Sequence, residues 1–273
     1  NPFDTQHGFD EPIQGDVDFL VAVLGTLAPG CGPESTKFFE RVIRVAYEKF
    51  SRLSPDSKVW EPSFDERVTR RLEETGFSVA AKTRVWAVVD ALFDAGYIDE
   101  SISAQRYAMP TLSDIPKIAT DSRVSNVYGK APYNGEIIID IFTRNIIASL
   151  DSFTILNGYT KLNIGAARAV SIDLQQVVGS RVTEDGRRKS GLMFLLARRL
   201  GARDYFLKWD EIASQCPRRY AAYQERRTAK LWETIKFLQY DEAHFFSGIE
   251  SVTKLVHDDL RTGRKFNLIS AMF

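Results

Sequence analysis

At 273 residues, 44% of them apolar and 26% charged, the chain is long enough to bury one large or two ordinary cores, which excludes disorder as its default state. Lys plus Arg and Asp plus Glu stand at 36 each, so no global field draws the chain to nucleic acid or anionic lipid, and any such binding needs a local patch. Two distant cysteines, Cys31 and Cys216, and three histidines without ligand spacing argue against a disulfide scaffold or a zinc site; with no signal peptide and no apolar run of membrane-spanning length, a soluble cytoplasmic protein is expected.

From Asp16 to about Gly96 the apolar period is helical. Phe19, Leu20, Val23, Leu24 and Leu27 form one stripe, stopped by the turn "PGCGP" at 29–33. Phe38, Phe39, Val42, Ile43, Val45, Ala46 and Phe50 form the next, stopped before Pro55. Phe64, Val68 and Leu72 mark a third helix with Ser63 as its N-cap and Gly76 as its stop. Val79, Val85, Trp86, Val89, Leu92 and Phe93 mark a fourth, and four amphipathic helices with short connections predict a helical subdomain.

Residues 111 to 130 are polar, a mixture of helix and loop, and a helix resumes from Glu136 to Leu150 on Ile137, Ile138, Ile141, Ile146 and Ile147. The grammar then changes. "AVSIDL" at 169–174 is a predicted strand, 189–207 an apolar helix, 237–240 a strand, 249–260 a helix and 266–271 a strand. Alternating strand and helix predicts a parallel sheet covered by helices, the α/β class. No internal repeat or low-complexity tract is present. The pattern therefore divides the chain into a mainly helical stretch, 16–135, and an α/β part, 136–273.

"KFLQYDEAHFFSG" at 236–248 carries the chemistry. Asp241 and Glu242 follow a strand, and ligands of open α/β sheets bind outside the carboxyl ends of strands. Phosphoryl transfer to water needs Mg²⁺ to neutralise the phosphates and a group to orient the water. Asp241 suits the Mg²⁺ shell, through water, and Glu242 suits polarising the attacking water of an ATP hydrolysis. The plain alternative is a structural acidic pair at a strand end, and Gln239 interrupts what a buried parallel strand should keep apolar. No G-x-x-x-x-G-K-[ST] loop occurs: "YGKAP" at 128–132 has Ala131 in place of the metal-binding hydroxyl and no glycine at the required offset. The loop is then either absent or upstream of Asn1, and an opening without Met suggests a piece of a longer chain.

"NPFDTQHGFDEPIQGDVDFLVAVLGTLA" (1–28), "GYTKLNIGAARAVSIDLQQV" (158–177), the acidic segment above and "DDLRTGRKFNLISA" (258–271) together resemble the motor ATPases of type IV secretion and conjugation. Within that group they resemble the type IVB branch, which serves Dot/Icm effector export and IncI-type plasmid transfer. The resemblance implies a partial RecA-like P-loop NTPase sheet with a helical insertion, 1–15 belonging to the ATPase core, 16–135 being the insertion and 136–273 the α/β part, the phosphate loop lying far upstream. It implies ATP and Mg²⁺ as cofactors, a homo-hexamer, other secretion-apparatus subunits as partners at the cytoplasmic face of a bacterial inner membrane, and DNA or protein as cargo. Asp241 and Glu242 then match the family's acidic strand-end pair, and His244 a polar or aromatic position beyond it. Arg261 or Arg264 in "LRTGRK" becomes an arginine finger toward a neighbouring subunit, against the plain reading of cations complementing a helix C-terminus. Relatives often end the following strand in Ser-Gln, a γ-phosphate sensor, where this chain reads Ser270, Ala271, which puts a nucleotide contact by Ser270 in question.

Other readings remain open. "DEAH" followed by "ISA" also resembles a DEAH-box helicase, although those enzymes place the phosphate loop closer upstream; a non-catalytic adaptor is the third reading. "PRRYAAYQERRTAKLW" (217–232) interleaves cations with aromatics, either a grip for single-stranded DNA or an acidic partner, or a solvated face with its aromatics tucked inward. "SRVTEDGRRKSG" (180–191) is a cargo-contacting loop or a plain connection. Asp173 supports the site or caps a helix, His257 faces solvent, and His7 has no derivable chemistry.

Overall fold

The computed structural model describes residues 1–31, 35–162, 164, 167–177, 183–241 and 250–272, and the chain divides into two units, Asn1–Asn163 and Ile164–Phe273. It is a mixed α/β structure, 59% helical, and its described strands form two sheets of two strands each. No described helix is long and apolar enough to cross a membrane.

The first unit is built on α1 (Gln14–Leu27), α2 (Thr36–Phe50) and α8 (Ile138–Ser152). Their apolar stripes recur every three or four residues and so fall on one face. Leu20, Leu24, Phe38, Ile43 and Phe142 are wholly buried there, each worth about 1.5–3 kcal/mol of transfer free energy. Phe142 stands edge-on to Phe38 with ring centroids 5.1 Å apart, the arrangement aromatic quadrupoles favour. Ser149 Oγ donates to the Leu27 carbonyl at 2.9 Å, satisfying an acceptor that the end of α1 leaves open.

Beside them stand α3 (Glu66–Glu74), α4 (Val85–Asp94) and α5 (Ile98–Gln105). Two expectations are corrected here. The cap of α3 is Asp65, whose carboxylate accepts from the Arg67 and Val68 amides, and not Ser63; Phe64 precedes the helix and stacks on Tyr107 with parallel rings 4.7 Å apart. Val79 lies before α4 in an exposed irregular stretch, because the helix begins only at Val85. Gly76 closes α3 and Gly96 closes α4, at φ 73° and 83°, a region glycine enters without a Cβ penalty.

Short helices α6 (Ile115–Ala119) and α7 (Ser122–Tyr128) fill the polar stretch expected to mix helix and loop. The helix expected from Glu136 begins instead at Ile138, because β1 (Pro132–Tyr133) and β2 (Glu136–Ile137) form a hairpin. Its turn is Asn134-Gly135 with φ 49° and 86°, both positive as a type I′ turn requires. Residues 1–13 have no long element of their own yet bury Phe3, Gln6, His7 and Phe9. Gln105 holds them, its Nε2 donating to Thr5 Oγ1 at 2.9 Å and to the Gln6 carbonyl at 2.8 Å while its Oε1 accepts from the Gly8 amide at 2.7 Å. Residues 1–15 and 136–162 thus pack within the same unit as the helices of 16–135.

The second unit contains α9 (Glu184–Ala202), α10 (Trp209–Ile212), α11 (Ala221–Glu233), β3 (Lys236–Tyr240), α12 (Glu250–Thr262) and β4 (Leu268–Met272). β3 and β4 are parallel, Lys236 opposite Leu268 and Leu238 opposite Ser270. Leu238 and Tyr240 pack with Phe194 of α9 and with Val252, Leu255 and Val256 of α12, which covers one sheet face. The other face is open, with Phe237 55% and Ile269 57% exposed. The strand predicted at 169–174 does not form; these residues run exposed apart from half-buried Leu174, since period-two alternation makes a strand only where a neighbouring edge supplies hydrogen bonds. Asp173 there caps no described helix, and its Oδ1 accepts from the Gln175 amide at 2.8 Å. The connection read across 180–191 is helical from Glu184, capped by Thr183 Oγ1 accepting from the Gly186 amide at 3.1 Å.

Candidate functional site

β3 ends at Tyr240, and Asp241 follows in an exposed turn at the carboxyl end of the strand. The chain returns through α12 to β4, so the β3–α12–β4 unit has the parallel crossover form expected from its pattern. Glu242 and His244 lie outside the described residues.

Arg261 and Arg264 are exposed, one in the last turn of α12 and the other in the 3-10 turn Gly263–Phe266 that leads into β4. Because β4 starts opposite the start of β3, both arginines stand at the amino edge of the sheet. A helix of 13 residues spans about 20 Å, which separates them from Asp241. Ser270 lies within β4 opposite Leu238, on the face that α12 covers, and its Oγ is buried with no hydrogen-bond partner among the described residues. The structure therefore puts Asp241 at the carboxyl edge and does not bring Arg261, Arg264 or Ser270 to it.

Beneath the strand end is a group of residues that sequence reasoning passed over. Asp259, on α12, is 2% exposed. It accepts from Arg198 Nε at 3.1 Å and Nη2 at 2.5 Å, and from the Tyr240 hydroxyl. Burial, then the hydrogen bond to Asp259, pushes the Tyr240 phenol far above its ordinary range, so it remains a donor at any physiological pH. The guanidinium also lies 4.7 Å over the Phe206 ring. This brace ties α9, α12 and the last residue of β3 together immediately before Asp241. Its signal was legible: Asp259 stands three residues after Val256 and seven after Val252, a carboxylate on the buried stripe of a helix, where it needs a cation.

An exposed carboxylate at a parallel strand's carboxyl end can order the water shell of a divalent ion. Among the described residues no group of three or more His, Cys, Asp or Glu forms a metal cluster. Burial pushes the Cys31 and Cys216 thiols up to about 11, which disfavours the thiolate at both. His257 is exposed as expected, and His7 is a buried structural residue whose Nε2 meets Ser101 Oγ at 2.8 Å. The basic-aromatic stretch forms α11; Tyr220 is buried, whereas Trp232 is exposed rather than tucked inward. No protein-family model, curated protein or solved structure shows significant similarity to the chain.

Proposed function

We propose that this chain belongs to the ATPase domain of a type IV secretion or conjugation motor of the type IVB kind. In this reading it works as a homo-hexamer with other secretion-apparatus subunits at the cytoplasmic face of a bacterial inner membrane, moving DNA or protein cargo. The observation that carries the reading is Asp241, a carboxylate in an exposed turn at the carboxyl end of β3 within a parallel β3–α12–β4 unit. The motif resemblance in residues 1–28, 158–177, 236–248 and 258–271 supplies the family.

β3 and β4 are, on this proposal, two strands of a wider RecA-like sheet. Support comes from the bare face carrying Phe237 and Ile269, since parallel sheets are covered on both sides. Asp241 holds the water shell of Mg²⁺, the ion bound with ATP offsets phosphate charge, and Glu242 polarises the attacking water. The 273 residues contain no phosphate loop, so the proposal requires one from polypeptide outside them. Arg261 and Arg264, at the opposite sheet edge from Asp241, suit a neighbouring subunit's nucleotide better than their own. The Arg198–Asp259–Tyr240 brace holds the strand end that bears the acidic pair.

The test uses the protein encoded by the whole gene. Glu242→Gln is expected to retain Mg²⁺-ATP while stopping hydrolysis, read by filter binding and phosphate release; unimpaired turnover overturns the assignment. Residues 1–273 alone are expected to show no turnover, and magnesium-dependent hydrolysis by them would contradict the need for an outside loop.

A further inference from the structure

The second unit holds a cleft that the nucleotide reading leaves unused. It runs along α11, has a volume of about 390 Å³, and is lined by Tyr223, Arg226, Arg227, Lys230, Leu231 and Thr234. At 3.6 residues per turn, Tyr223, Arg226, Arg227 and Lys230 fall within an arc of about 100°, with Glu225 on the opposite side of the helix. Gln224 and Thr228, on the adjoining face, are buried and fix the helix to its unit. Three cations therefore face one cleft in a protein whose formal net charge is zero.

Those cations are not equivalent. Arg227 is held in place by Asp204 and by Gln224 Oε1 at 3.3 Å. Arg226 and Lys230 are exposed, and no ion pair or hydrogen bond joins either side chain to another group among the described residues. Like charges four residues apart on a helix repel, so this pair weakens α11 unless an anion lies across it. The half-buried Tyr223 and Leu231 give the cleft an aromatic and apolar floor beside them.

We propose that this cleft binds single-stranded nucleic acid, with Arg226 and Lys230 taking backbone phosphates and Tyr223 stacking a base. Positive groove plus aromatic platform is the combination that grips single strands without sequence preference. An acidic peptide would engage the cations and leave the aromatic floor unused, whereas a nucleotide strand uses both. The site needs neither Asp241 nor Glu242, so it stands or falls apart from the ATPase reading.

Fluorescence anisotropy of the full chain with a labelled oligothymidylate of about 12 nucleotides, within the usual site size, reads the binding. Arg226→Ala with Lys230→Ala is expected to weaken it at least tenfold and to make the slope of log affinity against log salt shallower by about 1.4, roughly 0.7 for each lost phosphate contact. Tyr223→Ala is expected to weaken binding about tenfold at unchanged salt slope, and Tyr223→Phe to restore it. Arg226→Lys with Lys230→Arg keeps both charges and should keep the slope, which separates charge from folding; circular dichroism checks each variant. Equal affinity and slope for the double alanine variant overturns the proposal. So does displacement of the oligonucleotide by polyglutamate, or by thymidine monophosphate, at equal concentration of charge.

Discussion

Asp259→Asn removes one charge from the brace under β3 while preserving its shape. In the unmodified chain the carboxylate accepts two bonds from Arg198 and one from Tyr240, at 2% exposure. Deleting one partner of a buried ion pair costs about 3–5 kcal/mol, because the other charge stays buried without compensation. Arg198 keeps 17% side-chain exposure and the Phe206 ring face, which places the cost at the lower end, about 3 kcal/mol. That is about a hundredfold loss of protection for amides of β3 and α12 in hydrogen exchange read by mass spectrometry, at 1.4 kcal/mol per factor of ten. Amides of α1, α2 and α8, in the first unit, serve as the internal reference. Replacing both charges by apolar residues, Arg198→Met with Asp259→Leu and Tyr240→Phe, should recover most of the loss, since well-packed apolar groups often replace a buried pair at little cost. If Asp259→Asn leaves protection within threefold of the unmodified chain, or if the apolar triple variant is as damaged as the single one, the brace is not what holds the strand end.

Two further outcomes concern the first unit. Asp65→Ala should lower its stability by about 0.5–2 kcal/mol in urea unfolding by loss of the α3 cap, while Ser63→Ala changes it by less than about 0.5 kcal/mol. Asp121 is held down to about 2, first by the hydrogen bonds from Arg123, with Lys49 adding attraction. A carboxyl depressed in the folded state stabilises above its ordinary pKa of 3.8 and loses that contribution as pH falls toward 2. The urea midpoint of the unmodified chain should therefore fall between about pH 4 and pH 2 more steeply than that of Asp121→Asn, and parallel curves would remove this group from the acid response.

The helical stripes of α1, α2, α8 and α12 and the short apolar runs of β3 and β4 were legible without coordinates, because the period of an element is a property of its own segment. So were the glycine stops at Gly76 and Gly96 and the turn position of Asp241 after a strand. The Asn134-Gly135 hairpin was equally local and was overlooked, although that dipeptide is the strongest short-range turn signal. What needed the folded chain depends on a partner elsewhere. "AVSIDL" has the alternation of a strand and is none, because a strand exists only beside another edge. Residues 1–13 form no long element, yet Phe3, Gln6, His7 and Phe9 are buried there, because Gln105 and Tyr47, far along the chain, satisfy backbone groups of the segment. The place of Asp259 on the buried stripe of α12 is local, but its partners are not: Arg198, 61 residues before it, and Tyr240 meet it only inside the fold. Sequence by itself marked the long helical stripes and the two runs that became β3 and β4, and put an acidic pair after the first of them. Tertiary structure decided which polar groups are satisfied, which edge of the sheet each candidate occupies and which cations are left facing an open cleft, since those are properties of pairs brought together by folding.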